Sequence, residues 1–382
     1  MTSGRHYLDH ASTTPIRPEA RRAMVQWLEE AGSPGGVGDP GRVHEEGCKA
    51  RAAVESARET VARFVGADPS RLVFTSGATE AANTAVESAI CARPGKPVVC
   101  AGVEHSCVRE ACARAGKVVE TPVDARGRLD VARLTELLEQ ERPGLVNCQL
   151  ANHEVGTLQP VTEVVEVCHR AGALVHCDAA AAVGHVPVSF RQLGVDLMSV
   201  SAHKLGGPPG IGALVVRRGV RLTPLLVGGS EERARRAGGE NVLGIVGFAA
   251  ACEALQPGAL GREAAVATKQ TGELVAAAMA VADVEVLGDA AHRLPHIVCV
   301  SVGGVLGEAV LLSLDRAGIA AHSGSACSSE VLEPSPVLAA MGVDPDRSLR
   351  LSVGWSTTDE DVSAFVAAFP AAVARLRSLA SG

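Results

Sequence analysis

Residues 198–216, MSVSAHKLGGPPGIGALVV, place one lysine between an apolar run and a loop rich in glycine and proline. The chain has five lysines and thirty-one arginines, so Lys204 departs from the residue that this chain usually uses for positive charge. A lysine can lose its proton and become a nucleophile, whereas an arginine effectively cannot. We therefore expect Lys204 to perform chemistry at the end of a buried strand.

The length and composition limit the class of protein. A chain of 382 residues predicts two domains, at a prior of about 150 residues per domain. The net charge of −7 is spread without long runs of one sign, which argues against direct nucleic-acid binding and a membrane-binding patch. We predict no membrane span and no signal peptide, and hence a cytoplasmic location.

The eleven cysteines form no C-x-x-C pair, so the sequence predicts neither a disulfide framework nor a metal site. Most are expected to be small buried hydrophobic residues, and this expectation applies to Cys100, Cys148, Cys168, Cys177 and Cys299. Cys327 differs, because it lies in SACSSEVLEPSP, residues 325–336, whose small polar residues and prolines predict a mobile exposed loop.

Short apolar runs alternate with helical periodicity along most of the chain. The predicted strands are residues 71–74, 97–102, 144–150, 173–178, 196–200 and 212–216. Such a pattern predicts an α/β fold with a mostly parallel sheet covered on both faces. We place a large domain at residues 16–255 and a smaller α+β domain at residues 1–15 and 256–382. In sheets of this kind, ligands bind beyond the carboxyl ends of the strands.

Several chemically active residues follow these predicted strands. Asp178 ends one strand, His203 and Lys204 follow the next, and His105 follows the strand at 97–102. Residues 76–79, Ser-Gly-Ala-Thr, open a helix, and the N–H groups of a helix start suit a phosphate. The segment matches neither the P-loop pattern nor the dinucleotide fingerprint G-x-G-x-x-G. All these residues are expected at one edge of the sheet.

A lysine, a carboxylate, a phosphate site and a histidine together match the needs of pyridoxal phosphate. Each feature alone has a simpler explanation. A strand-end aspartate is more often a helix cap or turn residue, a single histidine is at least as often structural, and Ser-Gly-Ala-Thr is usually only a helix start. Their order and their shared edge favour the cofactor.

The chain also resembles a known family, the cysteine desulfurases of the NifS/IscS type, over most of its length. The motifs that carry the resemblance are YLDHASTTP (7–15), FTSGATEAAN (74–83), VEHSCV (103–108), ANHEVGTLQP (151–160), HCDAAAAVGHVP (176–187), RAGGENV (236–242), SGSACSSEVLEPSPVLAAMGV (323–343) and LRLSVGW (349–355). The family belongs to the class V aminotransferases, with the pyridoxal phosphate fold type I. The resemblance implies a homodimer that converts L-cysteine to L-alanine and passes the sulfur to an acceptor protein.

The resemblance also implies roles for individual residues. Lys204 would be the Schiff-base lysine, His105 would stack on the cofactor ring, and Cys327 would carry the persulfide. Asp178 would pair with the pyridine nitrogen. The residues implied at the cofactor phosphate are Ala78, Thr79, Ser201 and His203.

Two further residues are implied to bind the substrate, Arg350 and Asn152. The alternation in SLRLSVGW, residues 348–355, places Leu349 and Leu351 on one face of a strand and Arg350 on the other. From that position the arginine would grip a carboxylate with two hydrogen bonds. Without the surrounding motifs, a solvated strand arginine would be an equally good interpretation.

Three positions depart from the family pattern: His153 replaces an asparagine, Ala181 a glutamine, and Gly239 a threonine. We expect the imidazole of His153 to bind the cofactor's phenolate oxygen in place of the missing glutamine. These departures leave two alternatives. One is a selenocysteine lyase or C–S lyase on the same scaffold, and the other is a non-catalytic scaffold with an eroded cofactor site.

Overall fold

The computed structural model describes residues 4–32, 38–114, 116–323, 327–328, 331–332 and 334–380. At residues 257, 327, 328, 331 and 332 it describes the backbone alone.

The strands in these ranges form one large sheet and three small ones. They are β1 (His6–Tyr7), β2 (Leu72–Thr75), β3 (Val98–Ala101), β4 (Val118–Thr121), β5 (Leu145–Asn147), β6 (Leu174–Asp178), β7 (Leu197–Ser201), β8 (Gly212–Val216), β9 (Val284–Leu287), β10 (Ile297–Val302), β11 (Ile319–Ala320), β12 (Cys327–Ser328), β13 (Val331–Leu332) and β14 (Ser348–Ser352).

The helices alternate with the strands through the first half of the chain and flank the small sheets in the second half. They are α1 (Pro18–Ala31), α2 (Glu45–Phe64), α3 (Ala78–Ala92), α4 (Ser106–Ala113), α5 (Val131–Glu141), α6 (Val161–Arg170), α7 (Phe190–Leu193), α8 (Glu231–Ala234), α9 (Val242–Ala254), α10 (Pro257–Met279), α11 (Gly307–Arg316), α12 (Pro336–Ala340) and α13 (Asp359–Ala380).

The large sheet has seven strands in the order β2-β8-β7-β6-β5-β3-β4. Its strands are parallel except for β8, which runs antiparallel to both β2 and β7. The predicted mostly parallel α/β fold is therefore confirmed. The predicted strand at 212–216 matches β8, and the other five predicted strands overlap β2, β3, β5, β6 and β7. The sequence analysis missed β4, whose edge position leaves two of its four side chains exposed and so removes the continuous apolar signal.

A second hydrophobic core lies around the antiparallel sheet β14-β10-β9. It combines Leu8, near the start of the chain, with residues from Ala267 onward. This grouping joins the same two chain segments as the predicted small domain. The boundary at residues 255 and 256 stays a prediction.

A buried ion pair fixes the segment that contains α8. The pair consists of Arg58 and Glu232, whose side chains are almost fully buried. Arg58 Nη1 and Nη2 each lie 2.7 Å from an oxygen of Glu232. The backbone N–H of Phe74 donates to the same carboxylate at 3.1 Å. Breaking such a pair from one side leaves a buried charge, which typically costs about 3–5 kcal/mol.

One helix among the described residues, α13, is long and apolar enough to cross a membrane. The bent pair α9 and α10 passes the same test only when the two helices are counted together. Helix α13 buries Phe365 and Phe369 in the core of the small sheet. Core helices of water-soluble proteins share this length and composition, so the match is weak evidence for a membrane segment.

Candidate active site

A cavity of about 640 Å³ lies where β2, β3, β6 and β7 reach their carboxyl ends. Its lining includes Lys204, Asp178, His105, Thr79 and Arg350. Ala78, His153, Ser201 and His203 border the same cavity. Lys204, Asp178, His105 and Thr79 meet because each lies at or just after the carboxyl end of a strand of the large sheet, where the parallel strands share one edge. Arg350 reaches the cavity from β14 of the small antiparallel sheet.

Lys204 lies in a single 3₁₀ turn, His203–Leu205, directly after β7. Burial and the positive charge of Arg350 lower the pKa of Lys204, while the charge of Asp178 opposes this shift. Ser201, the last residue of β7, has its Oγ 2.7 Å from His203 Nδ1 in this turn. A lysine with a lowered pKa has a larger fraction of neutral, nucleophilic amine at neutral pH.

Asp178 is the last residue of β6 and is 8% exposed. Its Oδ1 accepts a hydrogen bond from the backbone N–H of Ala180 at 3.0 Å and lies 3.0 Å from Ser199 Oγ. Among the described residues, Oδ2 receives no comparable hydrogen bond. This oxygen is therefore the one that remains for a ligand in the cavity.

The predicted helix start at residues 76–79 is present, with α3 beginning at Ala78 and Gly77 as its N-cap. One of its expected phosphate donors is already used, because the Ser76 N–H donates to Glu80 Oε2 at 2.7 Å. Arg236 in turn binds Glu80, with Nε 3.0 Å from Oε1. The anion site of this helix therefore begins at Gly77 rather than at Ser76.

His105 caps the start of α4, and this contact fixes its tautomer. Its Nδ1 accepts the backbone N–H of Cys107 at 3.2 Å, so the proton of the neutral ring resides on Nε2. Cys107 Sγ also lies 3.1 Å from the same nitrogen. Burial and the charge of Lys204 lower the pKa of His105, which keeps the ring neutral.

The three departures from the family pattern lie in different surroundings. His153 lies in the cavity, and its ring makes a T-shaped contact with the ring of His105 at a centroid distance of 4.9 Å. Its Nδ1 is buried and has no partner among the described residues, and burial lowers the pKa of His153 well below its usual value. Ala181 is buried outside the cavity lining, and Gly239 borders a smaller cavity that also contains Ser76.

Arg350 is 4% exposed, and two different parts of the chain hold its guanidinium. Nη1 donates to the His153 carbonyl at 3.0 Å, and Nη2 donates to Asp9 Oδ1 at 2.8 Å and to Ser12 Oγ at 2.6 Å. The buried Nε has no partner among the described residues. Arg350 is therefore a fixed cation at the cavity wall with donor capacity left over.

Asn152 is the one implied site residue with a described side chain that the structure does not bring into the cavity. Its Oδ1 accepts the N–H groups of Glu154 and Val155, both at 2.8 Å, and its Nδ2 donates to the Val103 carbonyl at 3.1 Å. The side chain is fully buried. It stabilises the turn after β5 through these backbone contacts, and its implied substrate contact stays a prediction.

Cys327 lies in the two-residue strand β12, which pairs antiparallel with β13. The sequence predicted a mobile exposed loop here, whereas the backbone of residues 327–328 pairs with that of residues 331–332 as two short antiparallel strands. The Cys327 side chain lies outside the described residues, so its persulfide role stays a prediction. The five cysteines predicted to be buried are buried.

The sequence analysis missed several residues that line the cavity, among them Glu104 and Cys107. Burial raises the pKa of Glu104 to about 8, and one of its carboxyl oxygens, Oε2, has no partner among the described residues. Burial likewise raises the pKa of Cys107 to about 12, so its thiol is neutral at physiological pH. Their position beside His105 at the end of β3 was the available signal.

Comparisons with known proteins agree with this arrangement. The model of the family described as aminotransferase class V matches residues 6–365. The chain belongs to the class V aminotransferases. Members of this family that resemble the chain include a cysteine desulfurase of Cereibacter sphaeroides, 40% identical over 98% of this chain and 97% of the relative. The cysteine desulfurase IscS of Dictyoglomus turgidum is 37% identical over 98% and 95%, respectively.

A solved structure described as a NifS-like protein matches this class V aminotransferase with a TM-score of 0.86. It is 31% identical in sequence, and the match covers 99% of both chains. The match agrees with the mostly parallel sheet and with fold type I. Among the described residues, no group of three or more histidine, cysteine or acidic side chains is placed to hold a metal ion.

The cavity of this class V aminotransferase fits pyridoxal phosphate. Its volume lies within the range of about 300–1,000 Å³ that is usual for cofactor sites. Three buried atoms of residues that line the cavity have no partner among the described residues and suit polar groups of a ligand: His153 Nδ1, Glu104 Oε2 and Arg350 Nε. Lys204, Asp178 and the start of α3 offer an amine, a carboxylate and backbone N–H groups, which suit its aldehyde, ring nitrogen and phosphate.

Proposed function

We propose that this protein is a pyridoxal phosphate-dependent cysteine desulfurase. It converts L-cysteine to L-alanine and holds the released sulfur as a persulfide on Cys327. The observation that carries the proposal is the meeting of Lys204, Asp178 and Arg350 in one cavity. These residues supply an amine, an anion and a buried cation, which an amino-acid substrate and this cofactor require together.

Pyridoxal phosphate, when bound, would supply an electron sink for the bonds around the substrate's α-carbon. Lys204 would hold the cofactor, and its lowered pKa makes Nζ a better nucleophile and a proton carrier for the substrate. Asp178 would hold the ring nitrogen through Oδ2. Ala78 and Thr79 would bind the phosphate together with Ser201 and His203.

Arg350 would bind the carboxylate of L-cysteine, since a buried guanidinium with unused donor capacity suits that group. His105 would cover the exposed ring face, and its tautomer directs Nε2–H away from the helix cap. His153 would donate a hydrogen bond from Nδ1 to the cofactor's phenolate oxygen. Its low pKa favours the neutral ring, which carries one donor proton.

Cys327 would take the sulfur from the substrate. Its thiolate attacks the substrate sulfur, an S–S bond forms, and the C–S bond breaks with its electron pair left on carbon. That carbon takes up a proton and becomes the methyl group of alanine. The persulfide then passes to an acceptor protein. We further propose a homodimer in the cytoplasm, on the basis of the family resemblance.

The test is incubation of the purified protein with L-cysteine, followed by measurement of alanine and mass analysis of the protein. We expect alanine and a mass gain of one sulfur atom on Cys327. Cys327→Ser should bind cofactor and substrate normally and form neither product, because a hydroxyl is a far poorer nucleophile toward sulfur than a thiolate. Cys91→Ser, at an exposed cysteine on α3, is the matched control and should behave like the parent.

Three results would contradict the proposal. Pyruvate and ammonia in place of alanine would identify a C–S lyase. Alanine formed at the parent rate by Cys327→Ser would remove the persulfide role from this cysteine. A colourless protein that does not bind added pyridoxal phosphate would indicate the non-catalytic scaffold.

A further inference from the structure

A buried chain of polar side chains lies behind Asp178, on the side away from the cavity. In the register of the large sheet, Asn147 on β5 pairs with His176 on β6, and Asp178 on β6 pairs with Ser199 on β7. His176 and Asp178 are two residues apart on one strand, so they share a face of the sheet. Asn147, His176 and Ser199 are fully buried.

Three contacts connect these four side chains. Asn147 Oδ1 lies 2.9 Å from His176 Nδ1, and His176 Nε2 lies 3.1 Å from Ser199 Oγ. Ser199 Oγ lies 3.0 Å from Asp178 Oδ1. Each distance is that of a hydrogen bond, so each contact requires one proton between its two atoms.

The orientation of the Asn147 amide fixes the first proton. Its Nδ2 lies 3.1 Å from the Val99 carbonyl oxygen and 3.2 Å from Cys112 Sγ. A carbonyl oxygen accepts hydrogen bonds and cannot donate them, so the amide nitrogen must face Val99. The amide oxygen therefore faces His176, and His176 Nδ1 must carry a proton.

The remaining protons do not suffice for the other two contacts. A neutral His176 has already used its one proton, Ser199 offers one, and an ionised Asp178 offers none. Two protons would then serve three contacts, and two lone pairs would face each other at about 3 Å in a buried site. Such an unsatisfied contact costs about 1–3 kcal/mol.

We propose that the chain His176–Ser199–Asp178 holds one proton more than a neutral histidine and an ionised aspartate would carry. The proton resides either on His176 Nε2, opposite a carboxylate, or on Asp178 Oδ1, opposite a neutral imidazole. Ser199 connects the two forms, since its hydroxyl accepts a proton from one neighbour and donates its own to the other. All three contacts are satisfied in both forms.

The two forms suit different states of the cavity. Burial lowers the pKa of His176 to about 4, which favours the form with the neutral imidazole while the cavity holds no cationic ligand. A cationic ring nitrogen at Oδ2 favours the carboxylate and moves the proton to His176. His176 and Ser199 are then positioning residues that set the charge of Asp178. This consequence rests on the proposed function, whereas the proton count does not.

Solid-state NMR of the full-length protein directly tests how many protons His176, Ser199 and Asp178 hold. The protein is labelled with ¹⁵N-histidine and ¹³C-aspartate, and a His176→Gln variant assigns the His176 signals among the twelve histidines. Without cofactor we expect one protonated nitrogen on His176 and a protonated Asp178. With pyridoxal phosphate bound we expect two protonated nitrogens on His176 and an ionised Asp178. A neutral His176 beside an ionised Asp178, in either state, would overturn the proposal.

Three variants test whether the extra proton depends on the hydrogen bonds through Ser199. Ser199→Ala removes the link, so it should lose the extra proton and show a neutral His176 with cofactor bound, whereas Ser199→Thr should restore the parent signals. Cys112→Ala is the matched control, because Cys112 contacts Asn147 but contributes to none of the three contacts, and its spectrum should match the parent. The spectra of the parent decide the proton count even if Ser199→Ala does not fold. They also do so if the protein fails to desulfurate L-cysteine.

Discussion

Replacing Arg350 with glutamine should weaken substrate binding far more than it weakens cofactor binding. Arg350 is almost fully buried, so water does not screen a carboxylate bound there. Two charge-assisted hydrogen bonds are worth about 1.5–3 kcal/mol each, and a glutamine keeps at most one neutral bond of about 1 kcal/mol. The net loss of about 2–5 kcal/mol predicts a fall in kcat/KM of about 30- to 5,000-fold.

The assay measures alanine formation over a range of L-cysteine concentrations. The loss should appear mainly as a raised KM, because the carboxylate contact is the same before and during the reaction. The yellow colour of the bound cofactor should remain. Arg347→Gln is the matched control, since Arg347 is half-exposed and pairs with Asp344 away from the cavity. It should leave KM unchanged.

A substrate without a carboxylate makes the test specific. Cysteamine lacks the group that Arg350 is proposed to bind, so the parent and Arg350→Gln should process it equally poorly. If Arg350→Gln changed the KM for L-cysteine by less than threefold, Arg350 would not bind the carboxylate. If the variant lost activity toward cysteamine as strongly as toward L-cysteine, the effect would come from the lost contacts to Asp9 and the His153 carbonyl.

Lys204→Ala should abolish both the yellow colour and turnover, and a borohydride-reducible cofactor link that survived would assign the role to another lysine. His153→Ala should shift the pH at which the bound cofactor changes its absorbance, and an unchanged titration would leave His153 a space-filling residue. The pKa of Glu104 is about 8 in the folded protein against an ordinary 4.5, so the folded state binds this proton more tightly than the unfolded state. The unfolding free energy should therefore fall by about 1.4 kcal/mol per pH unit as the pH rises between these two values. Glu104→Gln should remove this slope in urea unfolding series, and an unchanged slope would contradict the shift. Arg58→Ala should lower the unfolding free energy by about 3–5 kcal/mol, because it leaves the Glu232 carboxylate buried without its partner. A loss below 1 kcal/mol would show that the Glu232 carboxylate does not depend on Arg58 to balance its charge.

The sequence by itself determined the fold class and the edge of the sheet at which the site lies. Buried parallel strands have continuous apolar runs, and such runs predicted β8 at 212–216. They also predicted strands that overlap five of the other six strands of the large sheet. The start of α3 at Ala78 followed from the Ser-Gly-Ala-Thr segment. Since the carboxyl ends of parallel strands meet at one edge, the strand-end positions of Asp178 and Lys204 were enough to predict that they lie close together.

Only the tertiary structure decided how the polar groups are used. Asn152 carries a motif position of the family, yet its amide stabilises a turn instead of facing the cavity. The Ser76 N–H is taken by Glu80, which the sequence pattern did not reveal. His176 opens the motif at 176–187, but its contacts with Asn147 and Ser199 depend on the register that aligns β5, β6 and β7. Hydrogen bonds between such distant residues depend on register and side-chain rotamers, and local apolar patterns specify neither.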